Sequence, residues 1–160
     1  MAKSGYHIDS AGQVASGAAT VAKSILGVKA TSDFAIDLLS YWAELDGISP
    51  SDKPILFEIC ASTFATQPPG TASSALTPQQ RRGRSPATGI SAAKNWTTEP
   101  TVLTVIDEFS LDPNKGIWRM DESLGEASDS TLGGGFVMRA TVPSGGTVVN
   151  IRAGMRVERA

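Results

Sequence analysis

The chain has 160 residues, 41% of them hydrophobic and 19% charged, with a formal net charge of -2. That length builds one domain around a hydrophobic core, and the near-balanced charge gives no general pull toward nucleic acid or an anionic membrane surface. Cys60 is the only cysteine, which excludes an internal disulfide framework and a multi-cysteine zinc site.

Residues 1–18 are small, polar and dotted with glycine (Gly5, Gly12, Gly17). They are expected to form a flexible arm outside the sandwich domain, which is expected over 19–160. His7, Asp9, Ser10 and Gln13 interrupt any apolar run there, so the segment does not read as a secretory signal. No window approaches the apolar length of a membrane helix, and the protein is expected to be made and first used in a cytosol.

The first expected strand is 19–29, with Val21, Ile25, Leu26 and Val28 as its apolar residues. Residues 34–46 are two-valued. Phe34, Leu38, Trp42 and Leu45 fall at helical spacing, whereas Phe34, Ile36, Leu38 and Trp42 also fit a period of two, except at Ser40. On periodicity alone, helix is slightly favoured. A turn follows at 47–54, then an expected central strand, 55–64, apolar on both faces. The stretch 65–100 is rich in Pro, Gly, Ser, Thr and Ala and is expected as one long loop.

Residues 101–111 read as a strand. Asp112 to Gly116 has hairpin-turn chemistry, with Pro113 early and Gly116 late, and 117–120 is expected as the returning strand. Residues 121–135 form an acidic, glycine-rich loop, and 136–142 alternate as a strand. After the turn at 143–146 comes the clearest alternation in the chain. Val149, Ile151, Ala153, Met155 and Val157 share one face, and Asn150, Arg152, Arg156 and Glu158 the other. Seven or eight short strands separated by turns predict an all-β fold, a single antiparallel sandwich or a barrel.

Candidate chemistry is sparse. His7, the sole histidine, lies in the expected arm, where nothing would hold it as a catalytic base. Asp112 and Asn114 resemble the opening of a calcium loop, but Gly116 and Ile117 break the register. Gly133-Gly134-Gly135 lacks the residues of a phosphate cradle and reads as a hinge. Asp121, Glu122, Glu126 and Asp129 read as a solvated acidic surface rather than a catalytic pair. No catalytic residue, metal ligand or cofactor site is assigned. Arg81, Arg82 and Arg84 form the densest charge run, expected as solvated or as docking cations for carboxylates. Trp42, Trp96 and Trp118 are candidates for a carbohydrate face, with Trp96, in the long loop, as the contact anchor; core or interface packing is the commoner role of tryptophan. Arg152 and Arg156, on the polar face of the last strand, are candidate partners for a neighbour's carboxylates.

Several runs taken together resemble a known family. They are Gly27-Val28-Lys29-Ala30, Ile36-Asp37-Leu38-Leu39, Leu45-Asp46-Gly47, the run from Pro54 to Cys60, and Thr63-Phe64-Ala65-Thr66. They continue with the run from Ala92 to Thr97, Glu99-Pro100-Thr101, the run from Gly135 to Arg139, and the run from Val149 to Arg159. Over 19–159 this order resembles the small jelly-roll-like β-sandwich virion proteins of tailed phages of actinobacteria, which decorate or stabilise the head. The resemblance implies that 34–46 is a strand. It also implies self-association as a homotrimer, docking on a major capsid protein lattice in the virion, and no cofactor. A carbohydrate- or host-surface-binding module of a phage tail or fibre is the alternative.

Overall fold

The computed structural model describes residues 4–46, 53–82, 89–114, 117–121 and 127–160. The first strands in chain order are β1 (Gly5–Asp9), β2 (Val14–Ala15), β3 (Ala22–Ala30), β4 (Ile36–Leu45), β5 (Ile55–Ser62) and β6 (Ser74–Leu76). Then follow β7 (Gln79–Arg82), β8 (Ile90–Lys94), β9 (Leu103–Leu111), β10 (Ile117–Asp121), β11 (Ser128–Asp129), β12 (Gly135–Thr141) and β13 (Asn150–Arg159). Sheet I runs β10-β4-β13-β1-β7, with β11 on β4 and β2 on β13. Sheet II runs β6-β8-β3-β12-β5-β9. The pairings are antiparallel and neither sheet closes on itself, so the fold is an antiparallel β-sandwich.

The core lies between the sheets. Ile25, Leu26 and Val28 of β3, Phe57 and Ile59 of β5, and Phe136, Met138 and Ala140 of β12 meet the inward side chains of sheet I. On β13 the alternation holds: Ile151, Ala153, Met155 and Val157 are buried, while Arg152 is exposed and Arg156 half-buried. Glu158 departs from the expected wet face, being only 7% exposed.

Residues 36–45 are a strand, and the structure explains their mixed period. Val157 of β13 pairs with Leu38 and Arg156 with Ser40, so Leu39 is an extra, bulged residue. A bulge shifts the in/out phase by one. Ile36 and Leu38 face the core before it, and Tyr41, Ala43 and Leu45 after it. The phase slip mimics a helical spacing.

Three expectations are corrected. The N-terminal segment is not an arm over its described length, because β1 zips along β13 from Gly5↔Glu158 to Asp9↔Gly154 and buries Tyr6 and Ile8. Ser10 and Ser16 extend the seam, their hydroxyls accepting from the backbone N–H of Ala153 and Val149. The stretch 65–100 is not one loop: it carries β6, β7 and β8, with β8 between β6 and β3. Ile90, Ala92 and Ala93 of β8 are buried, but alanines send too weak a hydrophobic signal to mark a strand. Finally, β10 does not return along β9. The turn carries the chain from sheet II to sheet I, where Trp118 pairs with Ala43. Trp118 stacks on Phe109 across the sandwich mouth, at 3.7 Å between centroids.

The three glycines lie where the chain turns into β12. Gly133 has a φ of 67°, and Gly135 opens β12 with Lys29 pressed against it.

Candidate interaction face

The outer faces of the two sheets are treated differently. Two loops, 63–73 and 95–102, are clasped over the outer face of sheet II. Trp96 lies over Gly27, where a β-carbon would come within 2.8 Å of its ring, and it packs with Phe64, Cys60, Ala93 and Val137 in a second small core. Its indole N–H donates to the Gln67 carbonyl at 3.0 Å. The Thr97 N–H donates to the Ala72 carbonyl at 2.8 Å, and the hydroxyls of Thr66 and Thr101 meet at 2.7 Å. Glu99 pins the second loop by accepting from the backbone N–H and hydroxyl of Ser24 at 2.8 and 2.5 Å. Beside it, Arg139 forks onto Glu58 at 2.6 and 3.0 Å. Phe64, Gln67, Ala72, Asn95 and Val102 take positive φ in these loops, at a cost of order 1–3 kcal/mol each, offset by the burial beneath them.

This sealing sets the chemistry of Cys60. Burial pushes its thiol up to about 11, and the thiol, not the nucleophilic thiolate, persists at neutral pH. Native protein is therefore expected to be inert to a colorimetric thiol reagent at pH 8, with one equivalent reacting in denaturant. Rapid stoichiometric reaction in native buffer would contradict a closed clasp.

Among the described residues, sheet I has no such cover. The registers lay its outward side chains in rows across the strands. Arg119, Trp42, Gly154 and Asp9 make one row. Asp121, Ser40, Arg156, His7 and Gln79 make the next. Trp42 covers Gly154, whose β-carbon would fall 2.8 Å from Cζ2 of the ring. A glycine opposite an aromatic in a sheet is a means of seating the ring flat on the backbone. Among the described residues, three concavities stand out along this face. A hollow of about 380 Å³ is lined by Arg81, Arg156, Asp121, Leu39, Ser40 and Gly5, among others. Another, of about 310 Å³, is lined by Asp9, Ser10, Ala11, Gly12, Trp42 and Arg152. The third lies between Glu44, Asp46, Asn150 and Arg152.

The predicted contact residues separate accordingly. Arg81, on β7, and Arg156, on β13, come together in one hollow although 75 positions apart. Arg152 is exposed on the same face. Arg82 is the last residue of β7, and its side chain lies outside the described residues, as does all of Arg84. Trp96 is corrected: at 1% exposed it is a core residue, not a surface anchor. Arg119 was missed, whereas Trp42 is one of the three tryptophans considered for a carbohydrate face. Trp42 reads as core from the even-numbered period that precedes the bulge, and only the phase slip turns it outward.

His7 is held on β1 with Nε2 3.5 Å from the Asp9 carboxylate. Burial lowers its pKa; Asp9 opposes this, and Arg156 and Arg81 reinforce it. The imidazole is accordingly neutral at pH 7 and adds no cation to the face. Of the acidic cluster, Asp121 is bound by Arg119 at 2.9 Å and Asp129 is on β11, while Glu122 and Glu126 lie outside the described residues. Asp112 accepts from the Asn114 N–H at 2.9 Å, a turn contact. Among the described residues, no group of three or more His, Cys, Asp or Glu side chains is placed to hold a metal ion.

No family model matches the chain, and neither curated proteins nor solved structures include a significant match to it.

Proposed function

We propose that this chain is a virion structural protein, a head decoration or minor capsid protein that binds the major capsid protein lattice as a homotrimer and acts without catalysis. The observation that carries this reading is the asymmetry of the sandwich: the centre of sheet II is covered by its own loops, while the described part of sheet I offers an open, concave face with several arginines. A protein that works by adhesion needs a rigid scaffold and one accessible face of many modest contacts, multiplied by symmetry. The resemblance of the runs in 19–159 to phage head proteins supplies the lattice and the trimer.

The purified protein is expected to sediment as an oligomer and to pellet with capsids. A monomer that stays in the supernatant at every capsid concentration would overturn the reading. One observation favours the tail- or fibre-module alternative: Trp42 borders a hollow with Asp9 and Arg152 beside it, and an aromatic flanked by polar groups suits a sugar ring. Glycan binding abolished by Trp42→Ala, without capsid association, would establish that alternative.

A further inference from the structure

We infer that the hollow spanning β4, β13, β1 and β7 is a carboxylate-binding site, shaped to receive an Asp or Glu side chain from an acidic segment of a partner protein.

Two bulges make the hollow. Leu39 is the extra residue of β4. Across the sheet, Gly5 pairs with Arg82 and Tyr6 with Gln80, so Arg81 is the extra residue of β7. Bulges re-aim side chains, and these two stand at opposite walls, with β13 and β1 between them. Between the walls, Gly5 and Ser40 fill little of the space above the sheet. The result is a concavity rather than the flat carpet of side chains usual on a sheet.

Among the described residues, the charge in it is unbalanced. Asp121, the acidic residue of the lining, is already forked by Arg119, with Nη2 at 2.9 Å and Nε at 3.2 Å. The side chains of Arg81 and Arg156 form no hydrogen bond or ion pair among the described residues. Burial, then repulsion by the charges of Arg81 and Arg119, lowers the Arg156 guanidinium from its ordinary value, and Asp121 opposes the shift. An incoming anion relieves that repulsion and satisfies both forks, and a planar carboxylate matches guanidinium geometry bidentately. A phosphate dianion is disfavoured, because Asp121 stands in the same lining. A protein-borne carboxylate is favoured over a small free acid because the hollow is open and continuous with the rest of the exposed face.

The identity of the partner as a capsid protein rests on the assembly reading; the chemistry of the site does not. The test is binding of a fluorescent hexaglutamate peptide to the full chain, with hexaglutamine as control and inorganic phosphate as competitor. Arg81→Gln and Arg156→Gln should each weaken hexaglutamate binding about tenfold, with melting temperature unchanged. Arg152→Gln, on the same face outside this hollow, should change it less than about twofold. Equal losses in all three variants would reduce the site to diffuse charge and overturn the proposal, as would no binding at all or equal displacement by phosphate. Capsid pelleting separates the two claims. Peptide binding without pelleting removes the assembly reading alone, whereas pelleting unaffected by Arg81→Gln and Arg156→Gln, with no peptide binding, removes the site alone.

Discussion

Gly135→Ala is expected to be the most damaging single-methyl substitution in the protein, costing about 3 kcal/mol or more and yielding mostly unfolded or insoluble chain. Gly135 pairs with Lys29 on one side and Ser62 on the other. An added β-carbon would strike the Val28 carbonyl oxygen and lie 2.8 Å from the Lys29 Cα. Those are backbone atoms of the neighbouring strand, so no rotamer change relieves the clash. The sheet must part where β12 enters, between β3 and β5, and β12 carries Phe136, Met138 and Ala140 into the core. Denaturant unfolding of the soluble fraction measures the loss. Gly12→Ala is the fitting control: its β-carbon meets nothing within 4 Å, although its φ of 111° carries a cost of its own. A stable Gly135→Ala protein would mean that β3 and β12 do not approach as described.

Trp96→Ala should cost about 3–5 kcal/mol, the usual range for emptying a buried aromatic site. Against a total stability of about 5–15 kcal/mol for a domain, that is a large share. The substitution removes the centre of the cluster over sheet II, bares Gly27 and leaves the Gln67 carbonyl without its indole donor. Trp96→Phe retains most of the packing and loses the hydrogen bond, so a smaller loss of about 1–2 kcal/mol is expected. The Trp96→Ala variant should also expose Cys60 to thiol reagent, since both belong to one cluster. A loss below about 1 kcal/mol, with Cys60 still protected, would return Trp96 to the surface.

The legible parts of the chain were those where one local period runs uninterrupted. The final strand is the plainest: its four inward residues from Ile151 to Val157 are all buried. Strands around Ile59, Phe109 and Met138 were also found at close to their observed positions. Where a bulge breaks the period, as at Leu39, the reading became ambiguous and the side of the sheet that Trp42 takes was not legible. Where a strand is made of small residues, as in β8, or holds only two apolar side chains, as in β1, composition argued for a loop or an arm. The Arg-rich hollow was half legible. Arg81 and Arg156 were each singled out for charge, but nothing local could bring them together.

The sequence by itself determined that the protein is all-β with its last strand in the core; that the sheets stay open as a sandwich rather than close as a barrel came from the pairing of strands. Burial of an alternating apolar face is a local, period-two property that each strand declares independently. Tertiary structure alone decided which outer face is open. The cover over the centre of sheet II depends on two loops meeting over Gly27, and the hollow between Arg81 and Arg156 depends on two bulges facing each other across four strands. Such features arise from long-range pairing, in which one skipped residue turns a side chain from core to surface.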